Sequence, residues 1–194
     1  MTGSFDILIV GIGGQGTILA SNILGKACLI EERHVKGAET HGMAQRGGSV
    51  ESHIRIGGQF GPLIVPGQAD LLISFDLLEA LRYSHYMKRG GTMVVNRHIV
   101  LPTSVFTQKI EIPTEEEITG RLKKYNPCLL DADQIATEAG SVLAQNVVML
   151  GAASGAMPLK PESLVAAVRE LVPPKTIEVN TTAFEMGREF GRKC

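Results

Sequence analysis

The sequence predicts a single α/β domain: a three-layer, doubly wound, Rossmann-like fold around a mainly parallel or mixed sheet. Three observations carry this reading. A short apolar run at residues 5–10 ends on a glycine-rich stretch and is followed by apolar residues at helical spacing. By residue 96 the β-α-β order that favours a parallel sheet has occurred twice. No internal repeat, low-complexity tract or linker interrupts the 194 residues, so residues 1–194 read as one domain.

The elements follow in order. Residues 5–10, FDILIV, are β-branched and apolar, as in a buried central strand. Ile18, Leu19, Ile23, Leu24, Ala27 and Ile30 then recur at helical spacing until Glu31, Glu32 and Arg33 close the helix. Residues 34–48 have no sustained period and read as a loop, feeding a half-exposed strand at 49–56 in which apolar and polar residues alternate. Gly57-Gly58 offers a turn. Residues 69–75 form another buried strand, and Asp76 caps a helix carrying Leu77, Leu78, Leu81 and Tyr83. Gly90-Gly91 reads as the end of that helix, with the next strand at 92–96.

Residues 97–113 read as irregular, with a short strand near Val105 or Ile110. Thr114 and the acidic Glu115, Glu116 and Glu117 open a helix, the acids suiting its dipole better than they suit a metal. A short strand at 128–131 precedes helices at 133–138, 146–154, 161–171 and 181–192.

Composition narrows the functional classes. Hydrophobic residues make up 44% and charged residues 20%, with a formal net charge of -1, which points away from disorder and from nucleic-acid binding. The apolar run at 7–10 is too short to span a membrane, and the N-terminus lacks the basic flank and cleavage site of a signal peptide, so a cytoplasmic protein is expected. Cys28, Cys128 and Cys194 are too scattered for zinc or an iron–sulfur cluster. Cys28 sits in a helical apolar pattern and Cys128 in a strand, where a thiol behaves as a small hydrophobe; Cys194 reads as a frayed terminus.

Gly11-Ile12-Gly13-Gly14-Gln15-Gly16 matches G-x-G-x-x-G between a strand and a helix, the context that gives the motif meaning. Glycines there let backbone N–H groups approach a phosphate at a helix N-terminus. Equally, they let the helix pack closely on the strand. The dinucleotide fingerprint also expects an acid about 20 residues on, at the end of the second strand. Glu31 and Glu32 lie near that distance but at a helix end, which argues against NAD.

A second segment, Glu39-Thr40-His41-Gly42-Met43-Ala44-Gln45-Arg46-Gly47-Gly48-Ser49-Val50, gathers Gln45, Arg46 and the small Gly47 and Gly48 before a strand. Backbone amides and a guanidinium there suit an anion or a partner's carboxylate. The alternative is a plain turn with Arg46 solvated or paired to Glu39, and a lone loop histidine such as His41 is more often solvated than catalytic.

Together, and in this order, the glycine loop and His41-Gly42-Met43-Ala44-Gln45-Arg46-Gly47-Gly48-Ser49-Val50 resemble the gamma-type domain of 2-oxoacid:ferredoxin oxidoreductases. The resemblance continues through residues 69–73, Glu79-Ala80-Leu81-Arg82-Tyr83 and Val94-Val95-Asn96, and the form of the second loop is similar to the indolepyruvate branch, in which this domain is the beta subunit. It implies a chain that supports oxidative decarboxylation of aryl 2-oxoacids to acyl-CoA with reduction of ferredoxin. It further implies that a large alpha subunit carries thiamine diphosphate, magnesium and the 4Fe-4S clusters. Coenzyme A is then a co-substrate, and this chain holds no firm cofactor, metal or catalytic residue. Gly11, Gly13, Gly14, Gln15, Gly16, Gln45, Arg46, Gly47 and Gly48 are the candidates for contact with coenzyme A or the partner. Other readings are a gamma subunit for pyruvate, 2-oxoglutarate or 2-oxoisovalerate, a stand-alone nucleotide-dependent dehydrogenase, or a nucleotide-binding regulatory module.

Overall fold

A computed structural model describes residues 3–41, 48–58, 61–101 and 112–194. Its centre is one six-stranded mixed sheet, in which β1 (Phe5–Ile12) lies between β3 (Ser49–Ile56), antiparallel to it, and β4 (Ala69–Ser74), parallel to it. β2 (Val35–His41) pairs antiparallel with β3 at one edge, and β5 (Met87–Asn96) and β6 (Cys128–Leu130) extend the parallel side, giving the order β2-β3-β1-β4-β5-β6.

The period-two side chains of β1 and β4 divide the core between the two faces. Ile7, Ile9, Leu71 and Ile73 meet α1 (Thr17–Ile30), α4 (Ala132–Glu138), α5 (Gln145–Ala153), α6 (Pro161–Leu171) and α7 (Ile177–Gly191). Leu8, Val10 and Leu72 meet the smaller layer of α2 (Leu77–Tyr83) and α3 (Glu115–Leu122). The expected three-layer α/β architecture is thus present. In the larger layer α5 and α7 touch backbone to backbone: a Cβ on Gly151 would fall 2.1 Å from the Phe184 carbonyl oxygen, and one on Gly187 equally close to that of Val148.

Local signals account for most element ends. Asp76 caps α2 as expected, its Oδ1 accepting from the N–H groups of Leu78 (2.8 Å) and Glu79 (3.1 Å). Thr114 and Glu117 form a reciprocal capping box, while Glu115 pairs with Arg97, so two of the three acids are engaged in capping and ion pairing. Gly57 and Gly58 both take positive φ. The short strand expected near Val105 or Ile110 lies outside the described residues.

Four expectations are overturned. The strand at 49–56 is not half-exposed but mostly buried, with Ser52, His53 and Arg55 covered along with the apolar positions. Residues 35–41 are not loop but edge strand β2; Gly37 and the alternation of small and polar residues hide a strand that packs on α1 along one side only. Gly90-Gly91 does not end a helix: α2 stops at Tyr83, a 3-10 turn covers Ser84–Tyr86, and β5 begins at Met87. Gly91 lies where the β4–β5 register shifts, and a Cβ there would come 2.9 Å from the Ala69 carbonyl oxygen. Finally, Cys194 is bonded to Cys128, tying the end of α7 to β6 across 66 residues. The remaining cysteine, Cys28, is buried, and burial first of all pushes its thiol up to about 11, as befits a small hydrophobe. No helix among the described residues is long and apolar enough to cross a membrane.

Candidate functional site

In an open α/β sheet, ligands favour the crevice beyond the carboxyl ends of neighbouring strands whose following helices pack on opposite faces. β1 leads to α1 on one face and β4 leads to α2 on the other, so this crevice lies between Ile12 and Ser74. The glycine loop leaves the sheet here.

Gln15 spans the crevice. Its side-chain oxygen accepts from the Ile12 N–H at 2.7 Å, and its amide nitrogen donates to the Phe75 carbonyl at 3.2 Å. Gly11 leaves room for that amide, since a Cβ there would fall 2.8 Å from the Gln15 oxygen and 3.1 Å from Phe75 Cβ. Gly16 starts α1 at φ +83°, its missing Cβ replaced by the Asn146 side chain of α5. Backbone donors of the loop turn inward as well, Gln15 N–H to Ile12 (3.1 Å) and Gly13 N–H to Gly48 (2.8 Å). Gly14, at φ +109°, is exposed with open space beside it. The loop is therefore largely a joint between β1, β4, α1 and α5.

The Gly13–Gly48 bond brings the two segments singled out in the sequence together. Gly48 directly precedes β3, whose Ser49 lies opposite Ile12. Gln45, Arg46 and Gly47 lie outside the described residues, as does the side chain of His41.

The topology also bears on the ribose-binding acid. The strand after α1 is not a parallel neighbour of β1 but the outer half of the β2–β3 antiparallel pair. Glu31 is engaged elsewhere, accepting from the Lys160 N–H at 2.6 Å and from Arg33 at 2.9 Å, and Glu39 accepts from the Ser21 hydroxyl at 2.7 Å. Among the described residues this geometry does not provide the second half of a dinucleotide site.

Beside the junction stands a polar cluster that sequence reasoning did not single out as a site. Asp76 is fully buried; besides capping α2 it accepts from the Val100 N–H at 2.6 Å, and burial raises its carboxyl against the pull of those three donors. Glu79 is 1% exposed and accepts the Ser49 hydroxyl. Arg82 lies 3.3 Å from its other oxygen, and the Tyr83 hydroxyl is 3.1 Å from Ser49 Oγ. Burial is the main cause that raises the Glu79 carboxyl, with Asp76 and Glu51 adding to it and Ser49 and Arg82 opposing it. An acid at the third position of a helix reads as a cap partner, and that local role masks its tertiary one. Among the described residues no group of three or more His, Cys, Asp or Glu is arranged to hold a metal ion.

The family model described as pyruvate ferredoxin/flavodoxin oxidoreductase matches residues 6–190. The chain is 41% identical over 186 residues to the indolepyruvate oxidoreductase subunit IorB of Archaeoglobus fulgidus, covering 94% of this chain and 92% of that one. The same subunit of Thermococcus kodakarensis is 39% identical, with 94% of each covered. Among solved structures, the gamma subunit of a keto/oxoacid ferredoxin oxidoreductase from Geobacter sulfurreducens superposes with a TM-score of 0.72 at 25% identity, over 98% of this chain and 99% of that one. The chain belongs to the pyruvate ferredoxin/flavodoxin oxidoreductase family, as a gamma-type member similar to the IorB subunits of indolepyruvate oxidoreductase.

Proposed function

We propose that residues 1–194 act as one gamma-type domain, the beta subunit of a cytoplasmic indolepyruvate:ferredoxin oxidoreductase. The observation that carries this is the near full-length similarity to IorB subunits. The partner is a large alpha subunit, and the complex converts aryl 2-oxoacids and coenzyme A to acyl-CoA while passing electrons to ferredoxin. Thiamine diphosphate supplies the carbanion chemistry on that partner, and its iron–sulfur clusters take up the electrons. The described residues of this chain do not fit those groups: Cys128 and Cys194 are joined, Cys28 is buried, and no group of three or more described His, Cys, Asp or Glu is arranged to hold a metal ion. No chemical step is assigned to it.

Its own contribution is the junction of Gly11, Gly13, Gly14, Gln15 and Gly16 with Gln45, Arg46, Gly47 and Gly48, which meets coenzyme A or the alpha chain at the shared active-site region. Exposed Gly14 and the single Lys or Arg between Glu39 and Val50, Arg46, support this reading. Inward-turned donors at Gly13 and Gln15 favour a surface that docks a partner over a cradle that holds a nucleotide alone.

Anaerobic dye reduction tests the proposal. The chain co-expressed with its large partner is expected to turn over indolepyruvate only with coenzyme A present, and neither chain alone is active. Faster turnover of pyruvate, 2-oxoglutarate or 2-oxoisovalerate moves the chain to another branch. Tight NAD(P) binding by the isolated chain overturns the proposal. Arg46→Ala is expected to weaken turnover or assembly, and unchanged values for both remove Arg46 from the site.

A further inference from the structure

Glu79 occupies the third position of α2, where a glutamate ordinarily turns back to the N–H of its cap residue. It crosses to β3 instead and accepts the Ser49 hydroxyl. A hydroxyl carries one proton. With that of Ser49 given to Glu79, the Tyr83 hydroxyl donates to Ser49, and the donors run from Tyr83 through Ser49 to the carboxylate. Arg82 at 3.3 Å supplies the nearby positive charge; Asp76 and Glu51 are the acids acting on the same group.

This arrangement does not serve packing alone. A carboxylate 1% exposed is costly to bury, and an apolar side chain of similar size on a helix that already buries Leu77 and Ala80 would stabilise the fold at least as well. What the carboxylate gains is a fixed Ser49. Ser49 directly follows Gly48, which accepts the Gly13 N–H, and it lies opposite Ile12, whose own N–H is held by Gln15.

We propose that Glu79 is a positioning residue of the complex: through Ser49 it clamps the end of the second loop onto the glycine loop and fixes the geometry of their junction. The effect on turnover rests on the reading above that this junction faces the shared active-site region; the clamp itself does not.

The test uses the assembled complex with Glu79→Gln, Glu79→Leu and Ser49→Ala. Loss of one hydrogen bond to a charged group corresponds to about tenfold. Glu79→Leu and Ser49→Ala are expected to raise the KM for coenzyme A by about that factor, with kcat within about twofold of the parent. Amide exchange at Gly13 should speed up by a similar factor, about tenfold. Glu79→Gln, whose side-chain oxygen still accepts from Ser49, should restore most of both. Unchanged Gly13 exchange in Ser49→Ala overturns the clamp, whatever becomes of Glu79→Leu on folding. Faster exchange with an unchanged KM keeps the clamp but overturns its positioning role. An unmutated complex inactive on indolepyruvate sinks the proposed function instead, with the exchange readout still standing.

Discussion

The would-be Cβ of Gly16 falls 2.7 Å from Nδ2 of Asn146, so the third glycine of the loop is where α5 meets the start of α1. Two penalties then coincide at this position, a backbone at φ +83° and an occupied space. Gly16→Ala is expected to destabilise the chain by about 1–3 kcal/mol. Asn146→Ala should partly relieve the clash in the double variant, a non-additivity that urea denaturation of the four-member cycle would read. Full additivity would show that only the backbone conformation matters.

That contact shows what was legible in the sequence and what was not. The strand–glycine–helix order placed the first loop at the rim of the sheet, because a glycine run between an apolar β-branched segment and a helical period has few other solutions. The partner of Gly16 is 130 residues away, and nothing local at Asn146 announces it. Glu79 and Ser49 stayed hidden for the same reason: each has a sufficient local explanation, a helix cap and a strand start, while their meeting depends on α2 packing over β1, from where its side chains reach the start of β3. β2 escaped notice because an edge strand packed on one side needs little apolar alternation. Gly90-Gly91 misled because a glycine pair serves a helix end and a shifted strand register equally well.

Gln15 offers a cleaner probe of the crevice. Its carboxamide joins the Ile12 N–H of β1 to the Phe75 carbonyl beyond β4, so Gln15→Ala leaves both groups without that partner. The expected cost is about 1–3 kcal/mol. Gln15→Glu retains the acceptor for Ile12 but sets a carboxylate oxygen against the Phe75 carbonyl, and it should destabilise the chain unless protonated. Its thermal midpoint should therefore rise on mild acidification relative to the parent. A pH-independent difference would show that the Phe75 contact is energetically idle.

His53 gives a pH dependence of defined sign. It is 2% exposed in β3, its Nδ1 accepts the Ile64 N–H at 3.1 Å, and that bond requires the neutral ring. Burial lowers its pKa below the ordinary 6.5, with Arg55 acting the same way and Glu51 opposing. Since the folded pKa lies below the unfolded one, this stability is fully present above the unfolded value and is lost as pH falls through the folded value. Stability should thus decline as pH falls below the ordinary histidine value of 6.5, and His53→Gln should flatten that decline. An identical pH slope in the variant would assign the acid sensitivity to other groups.

The Cys128–Cys194 bond closes a loop spanning 66 residues and holds the last turn of α7 against β6. By the chain-entropy argument a closure of that length contributes about 4 kcal/mol, acting through the unfolded chain. Thiol reductant is therefore expected to lower the midpoint of denaturation by several degrees. Cys194→Ser should show the lower midpoint from the start and no further response to reductant. The buried Cys28, with its thiol pushed up to about 11, should label with alkylating reagents only on unfolding, so thiol labelling can follow the same transition. Equal midpoints with and without reductant would mean that the packing of α7 on α5, with Gly187 and Gly151 in backbone contact, holds the terminus unaided.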